Sequence, residues 1–577
     1  MWRQANPPDV QAGREPSLRI AGWCDPGTTI VVLVIALAAG VIVGSPVFGW
    51  FPVVRVSIVM WAILLAGMCA ARPWRWRSDQ WSRVASWSPT AGSVTWGFLL
   101  LGIVLWWLVY SRFQAGGIDA VDFTVYFDRP LYQTSVGRPL WVESTDDPRF
   151  EHLTHLAVHG YWILPPLSLL YRIHPSPMWL LAVSAAAVTA GAFYVFRIVE
   201  SLDSPALGVA AAIGFVFNSN TARALNYGFH PEILYAWFVP WAIQAGLRRR
   251  PLSFSLAILG CVMVKEDAIF PLMGVSVALA LTSGRAMNPR RRLMYLITPP
   301  ALALINLSLF YGWVVPKLAP ESTVMYSYFW ETSGATPYEA LVGLLSHPGR
   351  LLTGALTSGF FTLVLASHWY LPLLGWRWII GLLPLVLVYG ASDNDQIRRF
   401  GIYYGVPLVP FLSIGAAAGA RTITRWLPQR AVGTCLAGVL VIASALSYGL
   451  GYSLRPWKYE LRAVPEALAR LQDRHTVLVQ GGLYPHAGYA DRVQLLTEHA
   501  LRGVENDQAV MLLATRGSAY PLKKEQWRCL IALPSVAAMP DRLLATEVST
   551  EARRCLDSRR SARVSRPRSA ETQDPRR

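Results

Sequence analysis

The segment that decides the fold is LSFSLAILGCVMVKEDAIFPLMGVSVALAL, residues 252–281, in which Lys265, Glu266 and Asp267 separate two apolar runs. A helix that crosses the hydrocarbon layer needs about 20 apolar residues. The apolar stretch 252–283 is therefore long for one span and short for two. It predicts two half-length helices, 252–264 and 268–283, that meet at the charged tripeptide. Non-helical backbone at that depth is tolerated only where it faces protein or a wet cavity.

Similar apolar runs recur along the 577 residues, of which 53% are hydrophobic and 15% charged, with a mean hydropathy of +0.34. Soluble domains carry about 25% charged residues, so this composition excludes a soluble enzyme, a disordered chain and a coiled coil. We predict a mainly α, polytopic transmembrane protein with about 13 helices. The predicted spans are 28–48, 52–71, 94–110, 178–197, 206–217, 233–247, 252–264, 268–283, 293–314, 351–366, 370–388, 401–419 and 431–452.

The net charge of +17 comes largely from short arginine clusters between spans and from a basic tail. Clusters at 72–83, 248–250, 285–292 and 421–430 follow the second, sixth, eighth and twelfth runs, so they share one side. By the positive-inside rule that side is the cytoplasm. We therefore predict a multi-pass plasma-membrane protein with a cytoplasmic N-terminus and an extracytoplasmic C-terminal domain. This distribution also argues against nucleic-acid binding.

The chain divides into four predicted parts. Residues 1–93 are a cytoplasmic N-terminus with two extra spans, and 94–454 form the main transmembrane domain with a large outer loop at 111–177. Residues 455–550 are predicted to form a small external α/β domain, with a helix at 464–473 and strands at 475–480, 509–514 and 529–534. The basic tail 551–577 is predicted to be disordered. Cys529 and Cys555 would both face an oxidising space, where a disulfide is one option.

The first outer loop holds a candidate base, Asp122, because apolar and aromatic neighbours would partly desolvate its carboxylate. Glu143, Asp146 and Asp147 are interpreted as ordinary surface acids. At the other end of the loop, His152, His155 and His159 have spacings that one helical face could present. That set is compatible with a metal site, but a single histidine, His159, that binds a phosphate or a sugar hydroxyl is the favoured interpretation.

Two further polar motifs lie at the predicted outer face. In NYGFHPE, residues 226–232, Pro231 suits the start of a helix with Glu232 in its first turn, and Asn226 and His230 cluster beside it.

In the tripeptide 265–267, the alternatives are a self-neutralising pair that caps two helix ends and a cavity wall with Lys265 facing an anionic ligand. Arg398 is a basic residue on the outer side, where an anionic lipid head group would explain it.

These motifs carry a family resemblance. DFTVY at 122–126, HGYWILPPLSLLYRIHPSP at 159–177, NYGFHPE, VKEDA at 264–268, YYGVPLVPFL at 403–412 and YPHAGYADR at 484–492 resemble the predicted membrane proteins of DUF2079. That family is similar to the C-type (GT-C) glycosyltransferases, which use lipid-phosphate sugar donors. The resemblance implies an essential acid that falls on Asp122 and a histidine that falls on His159. Val158 stands where an acid commonly precedes that histidine, and the motif's second acid is Asp128 only after a one-residue shift.

The resulting hypothesis is a GT-C-like inverting glycosyltransferase that takes a sugar from a polyprenyl-phosphate donor at the outer face of the plasma membrane. Asp122 would be the catalytic base. The predicted substrate-binding residues are His159, Asn226, His230, Glu232, Lys265, Glu266, Asp267 and Arg398. Its expected partners are a lipid-linked sugar donor and membrane lipids. No metal ligands are assigned, and a divalent cation is the one cofactor considered. The alternative is a non-catalytic transporter or lipid-binding scaffold.

Overall fold

The structure is a computed structural model, and its described part begins at the first helix of the main transmembrane domain. The residues described are 91–118, 120–147, 154–202, 204–283, 287–319, 329–334, 336–425, 437–441, 459–504, 509–515, 519–537, 539–540 and 542–556. The predicted spans 28–48 and 52–71, most of 431–452 and the tail beyond 556 lie outside these residues.

The helical part of the chain is built from fourteen main helices within the described residues, and shorter helical turns join them. They are α1 Ala91–Gln114, α2 Arg129–Ser135, α3 Leu164–Ile173, α4 Met178–Leu202, α5 Pro205–Val216, α6 Ser219–Tyr227, α7 Tyr235–Leu247, α8 Pro251–Val264, α9 Ile269–Ser283, α10 Thr298–Leu309, α11 Pro337–Ser346, α12 Pro348–Thr357, α13 Leu383–Gly390 and α14 Val409–Thr424.

Several of these helices meet the requirements for membrane spans. Six helical segments of the described chain are long and apolar enough to cross a bilayer: Gly92–Gln114, Met178–Leu202, Glu266–Ser283, Pro289–Leu318, Pro348–His368 and Val406–Thr424. Three shorter apolar helical segments accompany them. On α1, Trp96 is 73% exposed and Leu100 63% exposed. A large apolar surface of this kind is the one that lipid covers, and the multi-pass architecture is confirmed.

The predicted break in the segment 252–283 is confirmed. Helix α8 ends at Val264, Lys265 is extended (φ −164°, ψ 157°), and a short 3₁₀ turn at Glu266–Ala268 leads into α9. The two apolar halves therefore stop and restart around the charged tripeptide, as their lengths predicted.

Close helix crossings hold the bundle together. At Gly191 of α4, a Cβ atom would come within 2.1 Å of the Ala236 carbonyl oxygen of α7. Only glycine permits this approach, which is the small-residue packing that membrane helices use. Helix α5 begins at Pro205, where the Ser204 side chain accepts a hydrogen bond from the Leu207 amide. Helix α4 therefore packs closely against α7.

The C-terminal part forms the predicted α/β domain. Its sheet has the order β2-β1-β3-β4, with β1 parallel to β2 and β3, and β4 antiparallel to β3. The strands are β1 Thr476–Val479, β2 Val493–Leu495, β3 Ala509–Ala514 and β4 Leu543–Glu547, and the helices are α15 Val464–Arg470, α16 Glu498–Gly503, α17 Lys524–Ile531 and α18 Thr550–Arg554.

Both faces of this sheet are buried. Helices α16, α17 and α18 cover one face, and α15 covers the other together with Val121 and Val125 of the first outer loop. The domain therefore shares its hydrophobic core with the loop that carries Asp122. Because this mixed sheet is covered on both faces, the continuous apolar run AVMLLA of β3 is buried on both sides.

One strand prediction in this domain is wrong. The stretch 529–534, predicted as a strand, contains the end of helix α17 and the turn after it. Trp527 and Leu530 point into the core three residues apart, while Lys524 and Glu525 remain outside. That spacing is helical. The strand prediction depended only on the run of apolar residues and did not take this spacing into account. Cys529 and Cys555 form the disulfide that the sequence left open.

Candidate functional site

The candidate base lies on a π-helix, Ala120–Asp128, that follows α1. Asp122 is partly exposed, while its neighbours Val121 and Phe123 are buried. The Tyr227 hydroxyl, at the end of α6, donates a hydrogen bond to Asp122 Oδ2. A π-helix has a wider turn than an α-helix and often marks a functional site.

A buried ion cluster forms where the NYGFHPE segment meets the helix break. Lys265 Nζ donates to Glu232 Oε1 at 2.9 Å and lies 3.7 Å from Asp267 Oδ2. His230 Nδ1 contacts the other oxygen of Glu232. The backbone places these groups because proline at 231 keeps His230 extended and begins the 3₁₀ turn that holds Glu232. The side chains of Lys265, Glu232 and His230 are all largely buried. Their charges are therefore compensated within the protein.

The two acids of the tripeptide, Glu266 and Asp267, accept hydrogen bonds from other segments. Glu266 accepts from the Gly160 amide at 2.8 Å and contacts His159 Nδ1 at 3.1 Å. Asp267 accepts from the Tyr389 hydroxyl at 2.8 Å. Of the two interpretations of Lys265–Asp267, self-pairing alone is therefore insufficient, because the partners come from three separate segments. The tripeptide is one wall of a polar cluster.

Aromatic rings connect Asp122 with this cluster. The Tyr227 ring, whose hydroxyl binds Asp122, lies 5.7 Å from the Tyr403 ring. Tyr403 in turn stacks on the His230 imidazole, with ring centroids 3.5 Å apart and planes at 15°. Lys265 Nζ lies 5.9 Å from the centre of the Tyr404 ring. Tyr227, Tyr403 and His230 thus link the acid to the Lys265 cluster through successive contacts.

Other predicted site residues lie elsewhere. Arg398 pairs with Asp395 on the surface. The Asn226 backbone carbonyl accepts from the Arg112 side chain. His155 belongs to a 3₁₀ turn, and its Nδ1 contacts the Tyr126 carbonyl oxygen at 2.9 Å. The helical histidine face is therefore wrong for His155 and His159, and His152 lies outside the described residues.

The cluster has an excess of carboxylates. Glu232, Glu266 and Asp267 surround one lysine, so its formal charge is negative while the histidines are neutral. No three histidine, cysteine, aspartate or glutamate side chains in the described ranges are arranged to hold a metal ion. The chemistry available here is one ammonium, two imidazoles and several tyrosine hydroxyls.

A second polar network was missed from the sequence. Asp146 and Asp147, interpreted as surface acids, are buried beneath the C-terminal domain. Asp146 accepts from the Tyr484 hydroxyl at 2.6 Å and from the Leu495 amide at 2.8 Å. Burial raises the pKa of Asp146, and Arg129 opposes that rise. The interpretation failed for Asp146 because its partners Tyr484 and Leu495 lie more than 300 residues away in the chain.

Asp128 and Arg129 extend this network to the end of the π-helix. Arg129 donates to the carbonyl oxygens of Val493 at 2.6 Å and Ala490 at 2.9 Å, and its side chain also bonds the Tyr484 hydroxyl. Burial raises the pKa of Asp128 from 3.8 to about 7, against the opposing effect of two tyrosine hydroxyls and Arg129. The network fastens the C-terminal domain to the loop that carries Asp122.

Two crystal structures of ArnT from Cupriavidus metallidurans are similar to this chain. The one bound to undecaprenyl phosphate has a TM-score of 0.45 at 13% identity, and the apo form has 0.41 at 11%. Each comparison covers 80% of this chain and 99% of the other. A search of curated proteins gave no match.

The family of predicted membrane proteins called DUF2079 matches residues 120–504, about two thirds of the chain. The matched range includes the π-helix with Asp122, the ion cluster around Lys265 and the C-terminal domain as far as α16. The chain therefore belongs to the DUF2079 family of predicted membrane proteins.

Proposed function

We propose that the protein is a membrane glycosyltransferase of the GT-C type that takes a sugar from a polyprenyl-phosphate donor at the outer face of the plasma membrane. The observation that carries this proposal is the series of contacts through Tyr227, Tyr403 and His230 that links Asp122 to the Lys265 cluster. Glycosyl transfer with an activated donor needs one base and one site for the leaving phosphate.

In the proposed reaction, Asp122 removes the proton from an acceptor hydroxyl. The hydroxyl oxygen forms a bond to the anomeric carbon while the bond from that carbon to the phosphate oxygen breaks. The polyprenyl phosphate leaves with the electron pair, and direct displacement inverts the anomeric configuration. The Tyr227 hydroxyl, which donates to Asp122 Oδ2, orients the carboxylate so that its other oxygen can receive the proton.

The leaving phosphate would be bound by Lys265, with His159 and His230 as further donors. Lys265 has three N–H groups, and Glu232 and Asp267 occupy two directions around its nitrogen. The acids of the cluster would hold the three basic side chains in place. A divalent cation is the one cofactor that the sequence leaves open. The carboxylates of the described part do not form a ligand set for it, and no step of this proposal uses one.

The test is transfer from a labelled polyprenyl-phosphate sugar in membranes that contain the wild type or Asp122→Asn. We expect the variant to lose at least about 100-fold in rate, the lower range for a general base. Asp491→Asn is the matched control, because Asp491 is an exposed acid that is 3.9 Å from Arg138. Equal transfer by wild type and Asp122→Asn would refute the mechanism.

The second candidate is a non-catalytic transporter or lipid-binding scaffold. Two observations favour it: the helix is broken at Lys265, and the cluster contains three carboxylates but one lysine. Broken helices with buried ions are typical of coupling sites in transporters. Uptake of a labelled lipid-linked sugar into proteoliposomes, with no transfer to any acceptor, would favour this function over the first.

A further inference from the structure

A cavity lies between the helical part and the C-terminal domain, on the side of the π-helix where Asp128 stands. Its volume is about 590 Å³, within the range of about 300–1,000 Å³ that is usual for small-molecule sites. The end of α1, the turn at 175–178 and the C-terminal domain form its walls. Lining side chains that carry the argument are Tyr110, Phe113, Gln114, Asp128, Arg462 and Tyr489.

Asp128 has an acceptor that the protein does not use. It is 2% exposed, and both of its hydroxyl donors, Tyr171 at 2.6 Å and Tyr489 at 3.0 Å, bond the same oxygen, Oδ1. Oδ2 accepts no hydrogen bond from any described residue. Because Asp128 lines the cavity and Oδ2 is not among the fully enclosed atoms of the described residues, this oxygen is open to the cavity. A ligand hydroxyl in the cavity can therefore donate to it.

The rest of the lining suits a hydroxyl-rich ligand with apolar faces. The rings are fixed: Phe113 lies 4.3 Å from the His486 ring, and Tyr489 stacks on Tyr132 at 4.5 Å. Gln114 supplies an amide that can both donate and accept. The cavity contains a cationic side chain, Arg462, which disfavours a cationic ligand. Sugars combine hydroxyl donors with C–H faces that pack on such rings.

The position of the cavity connects it with the proposed reaction. Asp122 and Asp128 lie on the same nine-residue π-helix. The Phe113 ring, which lines the cavity, is 6.1 Å from the ring of Phe123, the residue next to Asp122. We propose that this cavity is a carbohydrate-binding subsite that holds the acceptor, with Asp128 Oδ2 accepting a hydrogen bond from a sugar hydroxyl. The acceptor role rests on the proposed function, whereas the binding of a carbohydrate does not.

The test measures sugar binding without any donor. Saturation-transfer NMR is recorded on the purified full chain in detergent with glucose, galactose, mannose, arabinose and N-acetylglucosamine. We expect ring-proton signals from at least one of them. Asp128→Asn keeps an oxygen for the two tyrosines but changes the cavity-facing acceptor into a donor, so binding should weaken about fivefold or more, the effect of one lost hydrogen bond. Asp491→Asn is its matched control.

A second variant tests the cavity without altering the carboxylate. Gln114→Trp fills the space and should abolish the signal, whereas Leu100→Trp adds the same bulk to the exposed face of the same helix and should leave it intact. Three results would overturn the inference. They are no signal from any of the five sugars, equal signals in wild type and Gln114→Trp, and a saturation-transfer signal from tetramethylammonium but from none of the sugars. The binding test contains no polyprenyl-phosphate sugar, so it does not depend on the transfer reaction. A failure of sugar binding can therefore be distinguished from a failure of transfer in Asp122→Asn.

Discussion

Replacing Asp128 by asparagine should make the stability of the protein less dependent on pH, and the structure gives the size of the effect. The pKa of Asp128 is raised from 3.8 to about 7, chiefly by burial. Between those values the folded protein keeps the proton that the unfolded chain releases, so the unfolded state gains stability as pH rises. Each pKa unit corresponds to about 1.4 kcal/mol. Over roughly three units the wild type would therefore lose up to about 4 kcal/mol between pH 4 and pH 7.

Asparagine removes this ionisation and retains an oxygen that can accept from Tyr171 and Tyr489. The assay is thermal unfolding followed by tryptophan fluorescence, in detergent, from pH 4 to pH 8.5. We expect the melting temperature of Asp128→Asn relative to wild type to rise with pH and to level off above pH 7. The exposed control Asp491→Asn should show no such trend. A difference between Asp128→Asn and wild type that stays constant with pH would refute the burial argument.

Three further outcomes are expected. Tyr227→Phe removes the hydroxyl that orients the proposed base, so the transfer rate should fall about tenfold, roughly one to two kcal/mol of lost hydrogen bonding, with an unchanged KM for the donor. Lys265→Met leaves the buried Glu232 without its ammonium and should destabilise the protein by about 3–5 kcal/mol, as judged by thermal unfolding, with partial recovery when Glu232→Gln is added. Replacing both Cys529 and Cys555 by serine should cost the C-terminal domain about 3 kcal/mol, seen as faster proteolysis within residues 459–556, while an unchanged cleavage rate would contradict it.

The helix break at Lys265 was predictable because it depends on local quantities: the length of an apolar run, the thickness of the hydrocarbon layer and the cost of buried charge. The helix start at Pro231 was predictable for a similar reason, since proline restricts the residue before it. The sequence also indicated that Asp122 is partly desolvated, because its flanking residues are apolar.

The remaining errors concern contacts between distant segments. Burial of Asp146 depends on Tyr484 and Leu495, and nothing within the first outer loop indicates that a domain packs on it. The histidines at 155 and 159 have helical spacing, yet their ring nitrogens contact Tyr126 and Glu266 from a turn. Spacing along the chain cannot distinguish a buried acid from an exposed one, or a helical histidine face from a turn.

The shortness of helix α8 affects the bilayer around it. Its 14 residues extend about 21 Å at 1.5 Å per residue, against a hydrocarbon thickness of about 30 Å. A helix this short is accommodated by local thinning of the membrane, which brings the head-group region towards the ammonium at its end. Under the proposed function, a prenyl chain would then stay anchored among the acyl tails while its phosphate reaches that nitrogen, so the donor lipid would not have to be extracted.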